Sequence, residues 1–229
     1  MSTVPASRPS SLRSPPEAAL TRPQHDHILL DGSASMQYKW WPMLSAIDTY
    51  IASLREQQVN SSLTLSVFSG HDLDMLQRDC HISAWTPLRE APIGSTWAGT
   101  PLYDAINVSG RRLRDLSPTR ASILICTDGD ENCSQFTTLD QANAILTWMR
   151  ALGWQVTFIG CDFNNQHQAK LLGGQTSSAI GIQKHLLTDA AQSLARKRAA
   201  YGFTGAPMHW SEAEQQQFGG HLAPPASPK

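Results

Sequence analysis

The chain has 229 residues, of which 41% are hydrophobic and 16% are charged, and its formal net charge is −1. This length and composition predict one globular domain with a sizeable core. The nearly neutral charge argues against a surface built for nucleic acid or for an anionic membrane. No apolar run in the sequence approaches the roughly 20 residues that a membrane-spanning helix needs.

The first 24 residues have the composition of a disordered tail. They hold five prolines, five serines and three arginines against one acidic residue, and they lack the apolar stretch of a secretory signal. We predict a tail over residues 1–24, a folded domain over 25–201, and a C-terminal extension over 202–229 with a short helix, Ser211–Phe218, and a disordered end. The four cysteines show no C-x-x-C spacing. With no export signal, we expect a cytoplasmic protein with reduced thiols.

Strand and helix patterns alternate through the middle of the chain. The predicted strands cover residues 27–30, 63–68, 73–82, 121–127, 154–161 and 180–182. The predicted helices cover residues 43–58, 101–116, 139–152, 166–172 and 189–201. This alternation predicts an α/β fold: a doubly wound, mostly parallel sheet with helices on both faces and one antiparallel edge strand. His25 and His27 are predicted to mark the polar start of the first strand rather than a metal-binding pair.

Three separated segments place oxygen-bearing side chains beside these elements. Asp31, Ser33 and Ser35 form a D-x-S-x-S pattern directly after the first strand. Thr100 precedes a helix, and Asp128 follows a buried strand in Thr-Asp-Gly. Carboxylate and hydroxyl oxygens suit Mg²⁺, Mn²⁺ or Ca²⁺ rather than Zn²⁺. Each residue alone could cap a helix or form a turn, but the five together favour a metal site at the carboxyl ends of the strands.

These three motifs, in this order, resemble the metal-ion-dependent adhesion site (MIDAS) of von Willebrand factor type A (VWA) domains. The resemblance spans roughly residues 25–200 and implies a Rossmann-like VWA fold of the small, single-domain bacterial type. It implies that Ser33, Ser35 and Thr100 give hydroxyl oxygens to Mg²⁺, or to Mn²⁺ or Ca²⁺. It also implies that Asp31 and Asp128 contact the ion directly or through water. One open coordination position would then take an Asp or Glu carboxylate of a partner protein.

Residues beside the motifs are predicted to contact that partner. The candidates are aromatic or acidic: Tyr38, Trp40, Trp97, Asp130 and Glu131. Exposed tryptophan and tyrosine are typical anchors of protein interfaces. Trp40 and its neighbour Trp41 fit the hydrophobic core equally well, and Asp130 and Glu131 fit a solvated acidic turn.

The predicted function is a divalent-metal-dependent protein-interaction module with no catalytic activity and with no nucleic-acid or membrane partner. One alternative is a metal-dependent phosphotransferase or phosphatase that uses Asp31 or Asp128. The motifs position no histidine or lysine as a general acid or base, which argues against this enzyme. The other alternative is a structural VWA domain with a degenerate site.

Overall fold

The computed structural model describes residues 24–70, 74–95 and 97–222. Within these residues the strands form one six-stranded sheet in the order β3-β2-β1-β4-β5-β6. The strands are β1 (Gln24–Asp31), β2 (Ser62–Ser69), β3 (Asp74–His81), β4 (Arg120–Thr127), β5 (Gln155–Cys161) and β6 (Ala179–Ile182). The longer helices are α1 (Trp40–Glu56), α2 (Leu102–Leu116), α3 (Leu139–Ala151), α4 (Gln166–Leu171) and α5 (Leu187–Thr204).

The predicted fold class is confirmed. Neighbouring strands are parallel except for β2 and β3, which pair antiparallel at the edge. The observed elements depart from the predicted bounds by up to three residues. For example, α1 begins at Trp40 rather than at residue 43, and β1 begins at Gln24 rather than at residue 27. Pro42 lies in the first turn of α1, where a missing backbone N–H is tolerated. The predicted tail apart from Gln24, residues 71–73 between β2 and β3, and the predicted disordered end after residue 222 lie outside the described residues.

Alternating side chains of the central strands point into two separate cores. Ile28 and Leu30 of β1 pack with α1 and α5 on one face of the sheet. Leu29 packs with α2 and α3 on the other face. Since residues i and i+2 of a strand share a face, a strand buried on both sides reads as the continuous apolar run seen in the sequence.

The histidines of β1 correct one prediction. His25 and His27 are buried inside the strand, 3% and 0% exposed, rather than at a polar start. A hydrogen bond of 2.8 Å joins His25 Nδ1 to Ser62 Oγ, and one of 3.1 Å joins His27 Nε2 to Ser66 Oγ. Burial lowers the pKa of His27 to about 3. Serine hydroxyls on β2 thus give each buried imidazole a hydrogen-bond partner for one of its ring nitrogens.

A buried ion pair fixes α5 to the start of β1. The guanidinium of Arg198 donates through Nε to Asp26 Oδ1 at 2.6 Å and through Nη2 to Asp26 Oδ2 at 2.9 Å. Both side chains are 0% exposed. The Tyr50 hydroxyl donates to the same carboxylate at 3.2 Å. This bidentate geometry, with a further donor, is the kind that compensates the desolvation of both charges.

The C-terminal extension packs against the domain. Trp210 is 2% exposed, and its ring lies edge-on to Phe218 with 6.0 Å between centroids. Ser211 and Glu214 form a capping box at the start of a short helical segment. The backbone N–H of Gln183, directly after β6, donates to Phe218 O at 2.9 Å. None of the helices in the described residues is both long and apolar enough to span a membrane.

The low pKa of His27 makes the free energy of unfolding depend on pH. The unfolded chain takes up this proton near pH 6.5, whereas the folded chain takes it up only near pH 3. The stability present above pH 6.5 is therefore lost as the pH falls toward 3. Between pH 6 and pH 4, urea titrations should show a loss up to about 1.4 kcal/mol per pH unit larger in the wild type than in His27→Gln. Equal slopes in the two proteins would contradict this assignment.

Removal of the Arg198 guanidinium should lower the free energy of unfolding, because Asp26 loses its cation. The variant Arg198→Met leaves the Asp26 carboxylate buried without its cation. We expect the free energy of unfolding to fall by about 3–5 kcal/mol in chemical denaturation. The matched control is Arg196→Met, an exposed position on the same helix, which should change it by less than about 0.5 kcal/mol. Similar losses in both variants would refute a special role for the pair.

Candidate metal site

The two predicted aspartates lie close together at the carboxyl ends of two central strands, β1 and β4. The chain leaves β1 toward β2 on one side, and β4 lies on the other side of β1. Such a reversal of strand order opens a crevice at the carboxyl ends of the strands. Asp31 is the last residue of β1, and Asp128 directly follows β4. The topology therefore brings together residues that are far apart in the sequence.

The Asp31 carboxylate is buried and clamped between the two strand ends. Its Oδ1 accepts a hydrogen bond from the backbone N–H of Ser33 at 2.8 Å, and its Oδ2 accepts one from the Thr127 hydroxyl at 2.7 Å. Burial raises the pKa of Asp31 to about 6, against the lowering effect of these hydrogen bonds, and the nearby charge of Asp128 adds to the rise. A positive charge beside this carboxylate would favour its ionised form.

A chain of hydroxyls connects the loop after β1 to Asp128. The Oγ atoms of Ser33 and Ser35 lie 2.9 Å apart, and Ser35 donates to Asp128 Oδ1 at 2.6 Å. The other carboxylate oxygen of Asp128 accepts from Lys39 Nζ at 2.6 Å. Ser33 is buried and Ser35 is exposed, so the hydroxyls lead from the interior to the surface.

Thr100 lies on a third loop that touches the first one. The N–H of Ala34 donates to Ala98 O at 3.0 Å, and the N–H of Thr100 donates to Asn132 Oδ1 at 2.9 Å. A Cβ at Gly99 would lie 2.6 Å from Cys133 Sγ. Glycine at this position therefore allows the Thr100 loop to approach the loop after β4 closely. Thr100 itself is buried, at 2% exposed.

Glu131 serves the loop after β4 as an internal acceptor. Its carboxylate accepts hydrogen bonds from the backbone N–H groups of Tyr103, Cys133 and Ser134 at 3.0, 2.8 and 2.6 Å. It also accepts from the Ser134 hydroxyl at 2.7 Å. This carboxylate holds the loop on the N-terminus of α2, where negative charge is stabilising. The structure thus gives Glu131 a structural role in its own loop, its contact with a partner stays a prediction, and Asp130 is exposed.

Some of the aromatic residues predicted to contact a partner are exposed, and others are buried. Tyr38 is 85% exposed, and Trp41, the alternative weighed with Trp40, is 60% exposed. Trp40 is only 5% exposed and belongs to the core, which corrects its predicted contact with a partner. Its ring packs edge-on against the half-buried Trp97 with 4.9 Å between centroids. Trp97 has φ +55°, a left-handed backbone that is unusual for a bulky residue. This pair holds the loop before Thr100 on α1.

The donor set has the chemistry of a hard-cation site. Among the described residues, no three His, Cys, Asp or Glu side chains gather into a cluster that could hold a metal ion. Any ion here would thus depend on hydroxyl oxygens in addition to Asp31 and Asp128. Mg²⁺, Mn²⁺ and Ca²⁺ accept such oxygen ligands, whereas Zn²⁺ favours sulfur and imidazole. The residues present therefore fit the ion that the resemblance implies.

Three residues of the site were missed from the sequence. Thr127 belongs to the Thr-Asp-Gly motif, which by itself predicts no role for it, yet its hydroxyl donates a hydrogen bond to Asp31. The approach of Lys39 to Asp128 spans 89 positions, and the contact of Asn132 with Thr100 spans 32. No local pattern signals such pairs. For Thr127 the Thr-Asp-Gly motif is the one local sign, because it places a hydroxyl directly before the aspartate that follows the strand.

No protein-family profile and no curated protein sequence matches the chain. Solved structures do. The vWF domain of the type V pili tip protein Mfa5 from Porphyromonas gingivalis gives a TM-score of 0.62 at 11% identity, over 80% of this chain and 97% of that one. The open conformation of the pilus adhesin SpaC from Lactobacillus rhamnosus GG also gives 0.62, at 10% identity, over 81% of this chain and 30% of that one.

A third similar structure is the manganese-loaded TRAP protein of Plasmodium vivax, with a TM-score of 0.52 at 17% identity, over 73% of this chain and 71% of that one. The match covers about a third of the SpaC adhesin. Identities this low speak for the fold alone. The strand order, the helices on both faces and these structural neighbours together show that the chain has a VWA-type fold.

Proposed function

We propose that this domain binds a partner protein through a divalent cation held at the edge between β1 and β4. The observation that carries the proposal is the series of hydrogen bonds that gathers the side-chain oxygens of Asp31, Ser33, Ser35 and Asp128. The backbone N–H of Ser33 binds the Asp31 carboxylate, and the Ser33 and Ser35 hydroxyls lead from there to Asp128. Pilus adhesin and pilus tip proteins among the similar structures support an adhesive or protein-interaction role. The manganese in the TRAP structure supports a divalent cation. The cytoplasmic location stays our prediction from the sequence.

The side chains have separate roles in this proposal. Ser33, Ser35 and Thr100 would give neutral oxygens to Mg²⁺ or Mn²⁺, and Asp31 and Asp128 would give the negative charge. A cation held mostly by neutral oxygens supplies an electrophilic position that attracts a carboxylate. Asp and Glu side chains of a partner are the protein groups that fit it.

The surface around the site would add the remaining affinity. One carboxylate that replaces a water molecule gains little net free energy, so apolar contact is needed as well. Tyr38 and Trp41 are the exposed rings closest in sequence to the first loop. Exposed Asp130 would repel partners whose carboxylate does not reach the cation. We propose that the domain has no catalytic activity. A phosphatase assay with p-nitrophenyl phosphate separates this proposal from the enzyme alternative, which requires metal-dependent turnover.

Loss of the Asp31 charge should weaken metal binding strongly without unfolding the domain. Asp31→Asn keeps the size of the side chain and one acceptor oxygen for Ser33 or Thr127. We expect at least a tenfold loss of Mn²⁺ and Mg²⁺ affinity in calorimetric titration, or about 1.4 kcal/mol. The matched control Asp130→Asn, an exposed acid in the loop after β4, should bind both ions as the wild type does. Unchanged affinity in Asp31→Asn would show that the site is misassigned.

Partner binding should require the same ion. The immobilised domain should retain a protein partner in Mg²⁺ or Mn²⁺, release it in EDTA, and recover it when the cation is restored. Asp31→Asn should retain none, and replacement of one Asp or Glu of the partner by Asn or Gln should abolish retention, because the neutral amide does not replace the carboxylate. A complex that survives EDTA intact would rule out the adhesion mechanism.

A further inference from the structure

The amine of Lys39 occupies one side of the candidate site. Its Nζ lies 2.6 Å from Asp128 Oδ2, and the lysine side chain is only 21% exposed while that of Asp128 is 0% exposed. The backbone holds Lys39 in position, because its N–H donates to Met36 O and its carbonyl accepts from the N–H of Met43, both at 2.9 Å. The ammonium is thus anchored just before α1 and directed at Asp128.

We propose that Lys39 is a specificity-determining residue of this site: a tethered cation that competes with the divalent ion for Asp128 and makes the loaded site selective for a carboxylate. This inference rests on the proposed function, since it concerns the same site. It assigns to Lys39 two opposite effects, weaker binding of the metal ion and stronger binding of an anionic ligand.

The competition follows from the occupancy of the Asp128 oxygens. Ser35 donates to Oδ1 and Lys39 donates to Oδ2, so an ion that approaches Oδ2 meets the ammonium. Like charges a few ångströms apart repel strongly where water is largely excluded. The ion must therefore either displace Lys39 or bind beside it, and both lower its affinity.

The selectivity follows from the net charge. The carboxylates of Asp31 and Asp128 and the ammonium of Lys39 leave one negative charge, which a divalent cation converts to one positive charge. Glu131 faces the backbone of its own loop and Asp130 lies at the exposed surface. A single carboxylate from a partner then neutralises the loaded site. Without Lys39 the loaded site would already be neutral and would attract a carboxylate less.

The first experiment measures the competition. Mn²⁺ is titrated calorimetrically into the full chain and into Lys39→Met, Lys39→Gln and Lys39→Arg. The two neutral variants should bind Mn²⁺ about tenfold more tightly than the wild type, and Lys39→Arg should stay within about twofold because it keeps the charge. In EDTA, Lys39→Met should melt at a lower temperature than the wild type, since Asp128 loses its partner, and Mn²⁺ should restore the melting temperature.

A matched control excludes a general effect of removing a lysine. Lys197 pairs with Glu214 at 2.8 Å and is also 21% exposed, but it lies on α5 and is not a residue of the site. Lys197→Met should leave Mn²⁺ affinity unchanged. Should Lys39→Met fail to fold, Lys39→Gln, which retains a hydrogen-bond donor, carries the same expectation.

The second experiment measures the selectivity with acetate as the probe. Bound Mn²⁺ accelerates the nuclear relaxation of the acetate methyl group when acetate joins its coordination sphere. At equal Mn²⁺ occupancy, Lys39→Met should lower this enhancement at least threefold, and acetamide, the neutral analogue, should show little enhancement with either protein. Equal enhancement in the wild type and in Lys39→Met would overturn the selectivity.

The outcomes separate this inference from the proposed function. Mn²⁺ binding by the wild type with no gain in the neutral variants overturns the role of Lys39 and leaves the metal site intact. Binding by the neutral variants alone supports the competition and overturns the cation-dependent function of the wild type. No binding by any variant overturns both.

Discussion

The carboxylate of Asp31 links the ends of β1 and β4 by hydrogen bonds, and the other residues of the candidate site lie around it. One oxygen is bonded to the backbone of the loop after β1 and the other to the Thr127 hydroxyl at the end of β4. Hydrogen bonds to a charged group contribute about 1.5–3 kcal/mol each. Even so, burial raises the pKa of Asp31 to about 6, so its charge at neutral pH remains costly. An amide has only one acceptor oxygen and could not accept both hydrogen bonds, so a carboxylate is needed to bind the two strand ends in this way.

The other acidic side chains near the site have two kinds of partner: a hydroxyl and an ammonium for one of them, and backbone N–H groups for the others. Asp128 faces a hydroxyl and an ammonium, whereas Glu131 faces backbone N–H groups. Asp104, buried in α2, accepts from the N–H of Gln135 at 2.8 Å and from that of Phe136 at 3.1 Å. The loop after β4 is thus held on α2 by two carboxylates. Hydrogen bonds from its backbone N–H groups to these carboxylates take the place of regular structure in the loop that follows Asp128.

The aromatic residues show why a contact surface is hard to recognise in a sequence. Trp40 and Trp41 are adjacent, yet one is in the core and the other is 60% exposed. Successive residues of a helix point about 100° apart, and the direction that faces the sheet is fixed only by packing. Trp97 could not be assigned either, because its position depends on a left-handed backbone and on the ring of Trp40. Tyr38, in the short helical turn before α1, is the exposed ring of the predicted set.

The sequence by itself determined the order and type of the elements, the mostly parallel sheet and the edge at which Asp31 and Asp128 lie. These follow from local signals: apolar runs buried on both faces, helical periodicity and the polar residues that end each strand. Only the tertiary structure decided that His25 and His27 are buried, that Glu131 caps a helix, and that Lys39 reaches Asp128. Each of these depends on a contact between distant segments, and long-range packing sets which side chains meet.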